Sequence, residues 1–447
     1  MEINFYHFLA LDVPPLLTAL FAVSACALAG NFLMLRRMSM MGDAISHAVL
    51  PGIVTAFLIT GSRSDLPVFI GAALAGLAAV VLIELTAKLG RIEFGASMGV
   101  VFSIFFALGV VLMEQAAARN VDLDADCLLY GQLETVFWFP SSKAAEFFSW
   151  RTLSLLPSEL VAAFTVLCLV SLLVALLFKE LKLYCFDPAL AGALGFGQGR
   201  LNLILMLLTA AAVVVSFKAV GSILVIAMMV VPPACARLCT DRLKSQIWLS
   251  QLLAALMVLC GYFAGAFLPM LAGLRSSLNV AGMISVVAGV FLALFSLFAP
   301  RYGIISAWLR NSGFALEIHK DDLLALLYRL AEDPDESRQA ELSKIFSFRT
   351  KGLTGRAALW LLKISGQIGF TDGSWKLLAG GQIRARSLVR SHRLWEAYLV
   401  DKAEVSSDHV HACAEALEHF TTPELAGELA RELSTSRTDP HGKLIPE

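Results

Sequence analysis

Charge is scarce in this sequence. Of its 447 residues, only 16% are charged, whereas about a quarter are charged in an ordinary soluble protein. The shortage falls within residues 1–310, so one soluble globular domain does not describe the chain. Cysteine is also sparse: the eight residues are scattered and form no C-x-x-C pair, which argues against a disulfide framework and against a thiolate zinc site.

Two further absences limit the function. No basic residue precedes the first apolar run, which follows Glu2 instead, so we expect this run to be a retained membrane helix and not a cleaved signal peptide. No G-x-x-x-x-G-K-[ST] motif occurs anywhere in the chain, which indicates that it has no P-loop nucleotide site. The sequence therefore predicts a chain that is not itself a P-loop ATPase.

Long apolar runs fill residues 1–310, and many are long enough to cross about 30 Å of hydrocarbon. They predict nine spans, near 15–35, 43–62, 65–88, 96–117, 158–178, 200–217, 221–238, 246–268 and 278–299. An odd number places the two ends of this region on opposite sides. With the C-terminal end inside, twelve Lys or Arg residues fall in inner loops against six outside, and the positive-inside rule then favours a cytoplasmic tail.

The predicted fold class is an all-α polytopic membrane domain of about nine helices, followed by two soluble domains. We expect the membrane domain at 1–310 and the two soluble domains at 316–390 and 391–447.

Two ionisable residues stand at the beginning of the second span. Asp43 and His47 are four residues apart, which places them on one helix face. Ionisable groups at membrane depth usually face a polar cavity or a partner, and an Asp with a His can bind a divalent transition metal in transit. A structural alternative is an Asp N-cap with a His bonded to a neighbouring helix. Asp122, Asp124 and Asp126, in the long outer segment, could gather cations at an entrance or form an ordinary solvated loop.

Several motifs occur together in a fixed order across residues 10–300. They are Arg36–Gly52, Val121–Leu123 with Leu129–Gly131, and Val220–Pro233. In these motifs the chain resembles the permease subunits of the zinc, manganese and iron ABC importers. The resemblance implies that Asp43 and His47 belong to the metal pathway, and that an extracytoplasmic metal-binding protein delivers the substrate.

The same resemblance implies that the segment Asp187–Gly195, with Asp187, Ala191 and Gly195 as its candidate coupling residues, docks on a separate ATP-binding subunit. It also implies a second permease subunit, either identical or homologous. An ion-coupled secondary metal transporter, which needs no ATPase, is the alternative.

Charge is unevenly divided in the tail. Residues 338–393 hold eleven basic and two acidic residues, whereas residues 396–447 hold four basic and eleven acidic ones. The basic half reads as two short helices, 338–347 and 354–365, and a hairpin at 369–378, which is the order of a DNA-reading helix-turn-helix with a wing. The candidate phosphate contacts are Arg349, Lys351, Arg356 and Lys363. A solvated basic face without DNA binding is the alternative.

Possible metal ligands cluster in the acidic half. His411, Glu415, Glu418 and His419 share one helical face, and His392 with Glu396 repeats the i, i+4 spacing one element earlier. Carboxylates with imidazoles and no thiolate suit manganese(II) or iron(II), and zinc is also compatible. The alternative is a solvated helix face that carries histidines without a metal.

The tail resembles the metal-dependent repressors of the diphtheria-toxin-repressor family in Arg390–Glu396, Val410–His419 and Asp439–Pro446. Carried over by position, His392, Glu396 and His411 match one metal site of that family. Asp322, Glu415, Glu418 and His419 match the other. The Glu at position 415 places the sequence with the manganese sensors, and the family implies binding to a DNA operator as a dimer.

Together these patterns predict a divalent-metal permease in the inner membrane, fused to a cytoplasmic metal-dependent repressor. The repressor would consist of a winged helix-turn-helix DNA-binding domain at 316–390 and a helical metal-binding and dimerisation domain at 391–447. We also expect proteolysis within residues 300–320 to release a soluble repressor, because a tethered dimer could reach only DNA brought to the bilayer. The rival hypothesis is a tail that senses metal and inhibits transport directly, without binding DNA.

Overall fold

Two compact units make up the chain, Met1–Ser306 and Ala307–Glu447. The computed structural model describes residues 10–61, 65–117, 131, 133–138, 155–271, 278–371, 373–433 and 438–446. Each unit has buried apolar clusters of its own.

The described part of the first unit is helical. Its helices are α1 (Val13–Leu35), α2 (Met41–Thr60), α3 (Asp65–Gly90), α4 (Phe94–Ala117), α5 (Ser158–Leu176), α6 (Phe178–Phe186), α7 (Pro188–Ala193), α8 (Gln198–Cys239), α9 (Leu243–Leu271) and α10 (Val280–Phe298). Among the described residues, eight helices are long and apolar enough to cross a membrane. The helices α6 and α7 are too short to do so.

The helix α8 accounts for the difference between eight helices and the nine predicted spans. Its 42 residues would measure about 63 Å if straight, twice the thickness of the hydrocarbon, but the backbone leaves the helical conformation at Gly221, where φ is 76° and ψ is 166°. The predicted spans 200–217 and 221–238 are therefore the two arms of this one element.

Contacts with α1 show that the two arms of α8 run in opposite directions. Cys26 Sγ lies 4.0 Å from the Ala212 carbonyl oxygen and Ser216 Oγ lies 3.5 Å from the Ala22 carbonyl oxygen, so the first arm is antiparallel to α1. Met229 then packs against Gly30. A straight continuation would carry Met229 beyond the start of α1, so the chain turns back at Gly221.

This reversal places α7 and the end of the first unit on one face of the helix bundle. Arg36, after α1, donates from Nη2 to Tyr184 Oη at 3.0 Å, and Tyr184 donates to Asn202 Oδ1 at 3.1 Å. The returning arm of α8 ends on this face, where the Tyr302 amide donates to the Leu238 carbonyl oxygen at 3.1 Å.

The second unit contains the predicted helix, turn, helix and wing. Its elements are α11 (Ile304–Glu332, beginning in the first unit), α12 (Glu336–Arg349), α13 (Leu353–Ile364), β1 (Ile368–Thr371), β2 (Ser374–Leu377), α14 (Ala379–Asp401), α15 (Val410–Glu418) and α16 (Pro423–Glu432). The strands pair antiparallel with Ile368 opposite Leu377. Apolar residues of α11, α12, α13 and β1 form one core, and residues of α14 and α16 form a second.

The predicted domain limits fall inside helices. Residues 310 and 316 both lie in α11, and residues 390 and 391 lie in α14. A single helix therefore carries the chain across each predicted limit, and the limits stay predictions.

Candidate metal centres

The first cluster of metal-ligand side chains joins α14 to α15. His392 and Glu396 are one turn apart on α14, and His411 lies in the first turn of α15. His392 Nε2 is 3.1 Å from Glu396 Oε1 and 3.1 Å from His411 Nδ1, and His411 Nδ1 is 2.9 Å from the same carboxylate oxygen. The structure thus brings together the three residues that match the first site of the repressor family.

Hydrogen bonding fixes the charge of this cluster. Burial raises the pKa of Glu396, but hydrogen bonds from His392 and His411 outweigh it and lower that pKa to about 2. Burial opposes protonation of His392, yet its hydrogen bond with Glu396 and the adjacent Glu418 carboxylate raise its pKa. Glu396 is consequently an ionised carboxylate in a buried site, which is a favourable ligand for a divalent cation.

Two buried atoms at this cluster lack a hydrogen bond. His392 Nδ1 lies 2.6 Å from Glu418 Oε2, but the angles do not form a hydrogen bond and both atoms are without one. Both side chains are only 3% exposed. Buried polar atoms without partners are rare and costly, so this donor set fits a bound metal ion.

A third histidine approaches the first cluster from the end of the chain. His441 Nε2 lies 4.0 Å from Glu396 Oε1. The turn that carries it is held by Asp439, whose Oδ1 accepts hydrogen bonds from the amides of His441 and Lys443 at 2.9 and 2.8 Å. The ending Asp439–Pro446 supported the family resemblance, but the sequence did not single out His441 as a ligand. The available signal was that five of the eight histidines follow residue 391.

The second cluster joins α11 to the end of α15. Asp322, Glu418 and His419 each place a donor atom within 4.8 Å of the others. His419 Nε2 is 3.4 Å from Asp322 Oδ1 and 3.9 Å from Glu418 Oε1. Asp321 also faces this cluster, with Oδ2 3.7 Å from His419 Nδ1, and that nitrogen has no hydrogen bond. Three of the four predicted members of the second site therefore meet.

The fourth predicted member, Glu415, points to an arginine instead. Arg349 donates from Nη1 to Asp322 Oδ2 and from Nη2 to Glu415 Oε1, the latter at 3.2 Å. Burial raises the pKa of Asp322 despite the nearby Arg349 and His419 side chains. Arg349 was predicted as a DNA contact, and in this structure its guanidinium is bound by two of the predicted metal ligands.

Both clusters consist of carboxylate and imidazole donors. No cysteine belongs to either group of donors found among the described residues. This chemistry suits manganese(II) or iron(II) and is also compatible with zinc.

The predicted pathway residues of the membrane unit are in contact. Asp43 lies in the first turn of α2, and its Oδ1 is 3.3 Å from His47 Nε2. The His47 ring packs edge-on against Phe102 and Phe106 of α4, with ring centroids 4.9 and 5.3 Å apart. Both polar side chains are partly exposed, so a polar pair lies within an otherwise apolar helix contact. The residues Asp122, Asp124 and Asp126 lie outside the described residues.

The predicted coupling residues surround the short helix α7. Asp187 caps this helix by accepting a hydrogen bond from the Leu190 amide at 2.9 Å, and Ala191 is buried against the bundle. Gly195 follows with φ of 85° and open space where a Cβ would be. Leu190 and Leu194 are exposed, so α7 presents an apolar surface.

The other predicted DNA contacts lie near α13. Lys351 precedes it, Arg356 is in its first turn and Lys363 is in its last, and all three are exposed. Leu353 and Trp360 are exposed on the same helix, which agrees with its apolar sequence. These three cations are exposed, whereas Arg349 is bound to Asp322 and Glu415.

Comparisons with protein families match both parts of the chain. Residues 11–137 and 142–293 match the ABC 3 transport family. Residues 379–447 match the iron dependent repressor, metal binding and dimerisation domain.

Individual relatives extend this finding. The chain is 40% identical over 307 residues to the zinc transport system membrane protein TroD of Treponema pallidum, covering 69% of this chain and 78% of TroD. It is 28% identical over 441 residues to a probable metal transport system membrane protein of Chlamydia trachomatis, covering 94% of this chain and 93% of that protein. Among solved structures, PsaBC from Streptococcus pneumoniae in complex with Fab matches with a TM-score of 0.52 and 30% identity, over 66% of this chain and 94% of that one.

Proposed function

Because the chain belongs to the ABC 3 transport family and ends in a metal-binding and dimerisation domain of the iron-dependent repressors, we propose that it unites a divalent-metal importer permease with a metal-controlled repressor. The chain is a multi-pass membrane transport subunit. Manganese(II) or iron(II) is the proposed metal, with zinc also compatible, because the carboxylate and imidazole donors suit these ions. Relatives are named as zinc and manganese transport proteins.

The proposed transport route passes Asp43 and His47. Their side chains are paired at 3.3 Å and partly exposed between α2 and α4. A carboxylate and an imidazole can replace part of the hydration shell of a divalent cation in transit. An extracytoplasmic metal-binding protein would deliver the substrate to this pair.

A separate ATP-binding subunit is the proposed energy source, because the sequence has no P-loop. The exposed Leu190 of α7, which the Asp187 cap positions, and the exposed Leu194 directly after this helix form the proposed docking surface for it. A second permease subunit would complete the importer. In this arrangement the face that carries α7 is cytoplasmic, and so is the tail.

The observation that supports a metal-controlled tail is the pair of donor clusters that Glu418 connects. Its Oε2 lies beside His392 and its Oε1 faces His419. Bound metal would supply positive charge between carboxylates that otherwise repel one another. His392, Glu396, His411 and His441 would hold it at the first centre, and Asp322, Glu418 and His419 at the second. The helix α13 with Lys351, Arg356 and Lys363 would then bind a DNA operator, as a dimer.

The experiment that tests this function captures DNA with the full-length protein in detergent. Genomic fragments from the source organism are incubated with the protein in chelator or in excess manganese(II) or iron(II). We expect the protein to enrich a small number of DNA fragments, and to do so only when metal is present. The Glu418→Ala, His419→Ala double variant should lose this enrichment. Equal capture in chelator and in metal would contradict metal control.

Release of the tail as a soluble fragment, by cleavage within residues 300–320, is a further part of this proposal. The structure describes a turn after α10 and a helix from Ile304 onward, so cleavage in the helical part would require local unfolding. Immunoblots against each half, in metal-rich and metal-starved cells, would detect the fragment.

The continuity of α11 favours a second candidate function, in which the tethered tail inhibits transport directly. Metal uptake by reconstituted importer, which contains no DNA, separates the two functions. A rise in uptake on His392→Ala substitution would support direct inhibition.

A further inference from the structure

One side chain outside the proposed ligand set occupies the second centre. We propose that Arg349 is the built-in counter-cation of this centre, that a metal ion binds there by displacing it, and that the released guanidinium then binds a DNA phosphate. This inference rests on the proposed function. In it, Arg349 sets the metal affinity of the second centre.

The contacts of Arg349 carry the first step. Its two terminal nitrogens bind different carboxylates, Asp322 on α11 and Glu415 on α15. A guanidinium fork that bonds two carboxylates is among the strong charge-assisted interactions of proteins. Asp322 and Glu418 lie in this cluster with Glu415 at its edge, and Arg349 supplies positive charge to Asp322 and Glu415. The neighbouring Asp321 pairs with Arg384 instead, at 2.7 Å.

Competition for the same oxygen atoms carries the second step. Asp322 presents Oδ1 to His419 at 3.4 Å and Oδ2 to Arg349. A divalent ion between Asp322, Glu418 and His419 would lie beside the guanidinium, and two cations at that distance repel each other. Metal binding at the second centre therefore weakens the bonds of Arg349, and those bonds weaken metal binding to the same extent.

The exposure of Arg349 permits its displacement. Its side chain is 32% exposed, so the guanidinium can rotate into solvent without crossing the core. Arg393 provides the contrast within the same unit: it is 3% exposed, pairs with Glu332 and Asp439, and also donates to the Leu444 carbonyl oxygen. Arg393 is thus a buried side chain held in structural ion pairs, whereas Arg349 lies at the surface of the cluster.

The position of Arg349 in the chain links it to the proposed DNA-binding helix. It is the last residue of α12, and Lys351 follows after one residue. Gly355, in the first turn of α13, packs so closely on the Arg349 carbonyl oxygen that a Cβ at Gly355 would overlap it. A displaced Arg349 side chain would project from the turn next to Lys351 and Arg356, where it adds a phosphate contact.

The test measures manganese(II) binding by calorimetry with the full-length protein in detergent. All proteins carry Asp43→Ala and His47→Ala, which removes the proposed membrane site, and the second-centre event is identified by its loss on His419→Ala substitution. We expect Arg349→Gln to tighten second-centre binding about tenfold, as the loss of a competing charged fork requires. Lys344→Gln, which removes one exposed positive charge from the same helix, is the matched control and should leave the affinity unchanged.

A second readout detects the released guanidinium. Binding of the metal-loaded protein to a mixed-sequence 30-base-pair duplex is measured from about 50 to 200 mM salt, and the slope of log K against log salt should fall by about one in Arg349→Gln. Arg349→Lys keeps the charge but not the fork, so it should keep the salt slope while still tightening metal binding. This variant keeps the proposal testable if Arg349→Gln folds poorly.

Two results would overturn the proposal, and they differ. Equal second-centre affinities in Arg349→Gln and the parent protein would refute the counter-cation role while leaving the metal-sensing function intact. Absence of any His419-dependent manganese binding would refute both.

Discussion

Glu418 faces His392 across the gap between α15 and α14, with Glu418 Oε2 2.6 Å from His392 Nδ1. Its other oxygen, Oε1, lies 3.9 Å from His419 Nε2. One carboxylate therefore contributes to both clusters. This arrangement predicts that the two centres are energetically coupled, because occupation of either one orients Glu418 for the other.

Glu418→Gln should weaken both centres, whereas Glu415→Gln should affect only the second. A neutral amide keeps the shape of Glu418 but removes its charge, and loss of one supporting carboxylate commonly lowers metal affinity by about 10–100-fold. Calorimetric titration of the two variants with manganese(II) measures the effect. Full retention of first-centre binding in Glu418→Gln would contradict the coupling. Because Glu415 also binds Arg349, Glu415→Gln should loosen that competing cation as well. The net loss of metal affinity should therefore be smaller in Glu415→Gln than in Glu418→Gln.

The sequence predicted the local part of this site and missed the long-range part. Spacing placed His392 with Glu396, and His411 with Glu415, Glu418 and His419, on common helix faces. Spacing cannot reveal which faces meet, and the pairing of α14 with α15 came from the family resemblance. Arg349 was assigned to DNA on charge alone, because its partner Asp322 is 27 residues away and no local pattern joins them. His441 was missed for the same reason.

The fold shows the same division between local and distant information. The elements of the membrane unit followed from apolar runs about as long as the bilayer is thick. The reversal at Gly221 preserved the predicted pair of spans, even though the two arms form one 42-residue element. The domain limits were less predictable, because α11 and α14 each continue through a change in composition.

The ion pair of the exposed Glu332 carboxylate with the buried Arg393 predicts an acid-sensitive tail. The hydrogen bond from Arg393 is the largest cause that holds the pKa of Glu332 below its ordinary value of 4.5. A lowered folded-state pKa means that this stabilisation is fully present above about pH 4.5 and is lost as the pH falls through the folded-state value.

Glu332→Gln should therefore lower the unfolding temperature by about 2–4 °C at pH 7, and the difference from the parent should shrink as the pH falls below about 4.5. Scanning fluorimetry of the full chain in chelator, as a series in pH, measures both effects. Glu341→Gln, an exposed change on α12, is the control. A difference that does not shrink anywhere on the acid side would exclude the ionised Glu332 as its source.

Asp43→Ala and His47→Ala should each abolish metal uptake while the protein still inserts in the membrane. The two side chains form one polar pair at 3.3 Å, so loss of either leaves an incomplete ligand set in an apolar surrounding. Uptake of radioactive manganese, iron and zinc by cells expressing each variant tests this. Ser103→Ala, an exposed position on α4 whose hydroxyl bonds its own helix, is the control. Normal uptake of all three metals by both variants would remove the pair from the pathway.

Gly195, which follows α7, provides the last prediction. Its φ of 85° lies in the left-handed region, which Asn tolerates and a β-branched residue does not. Nothing lies within 4 Å of a Cβ placed there, so Gly195→Val would act through backbone strain and not through a clash. We expect Gly195→Val to distort the end of α7 and to uncouple ATP hydrolysis by the partner subunit from transport, while Gly195→Asn retains coupling. The ratio of ATP hydrolysed to metal transported, measured with the reconstituted importer, distinguishes them. Identical ratios in the two variants and the parent would show that the conformation of this residue does not matter for coupling.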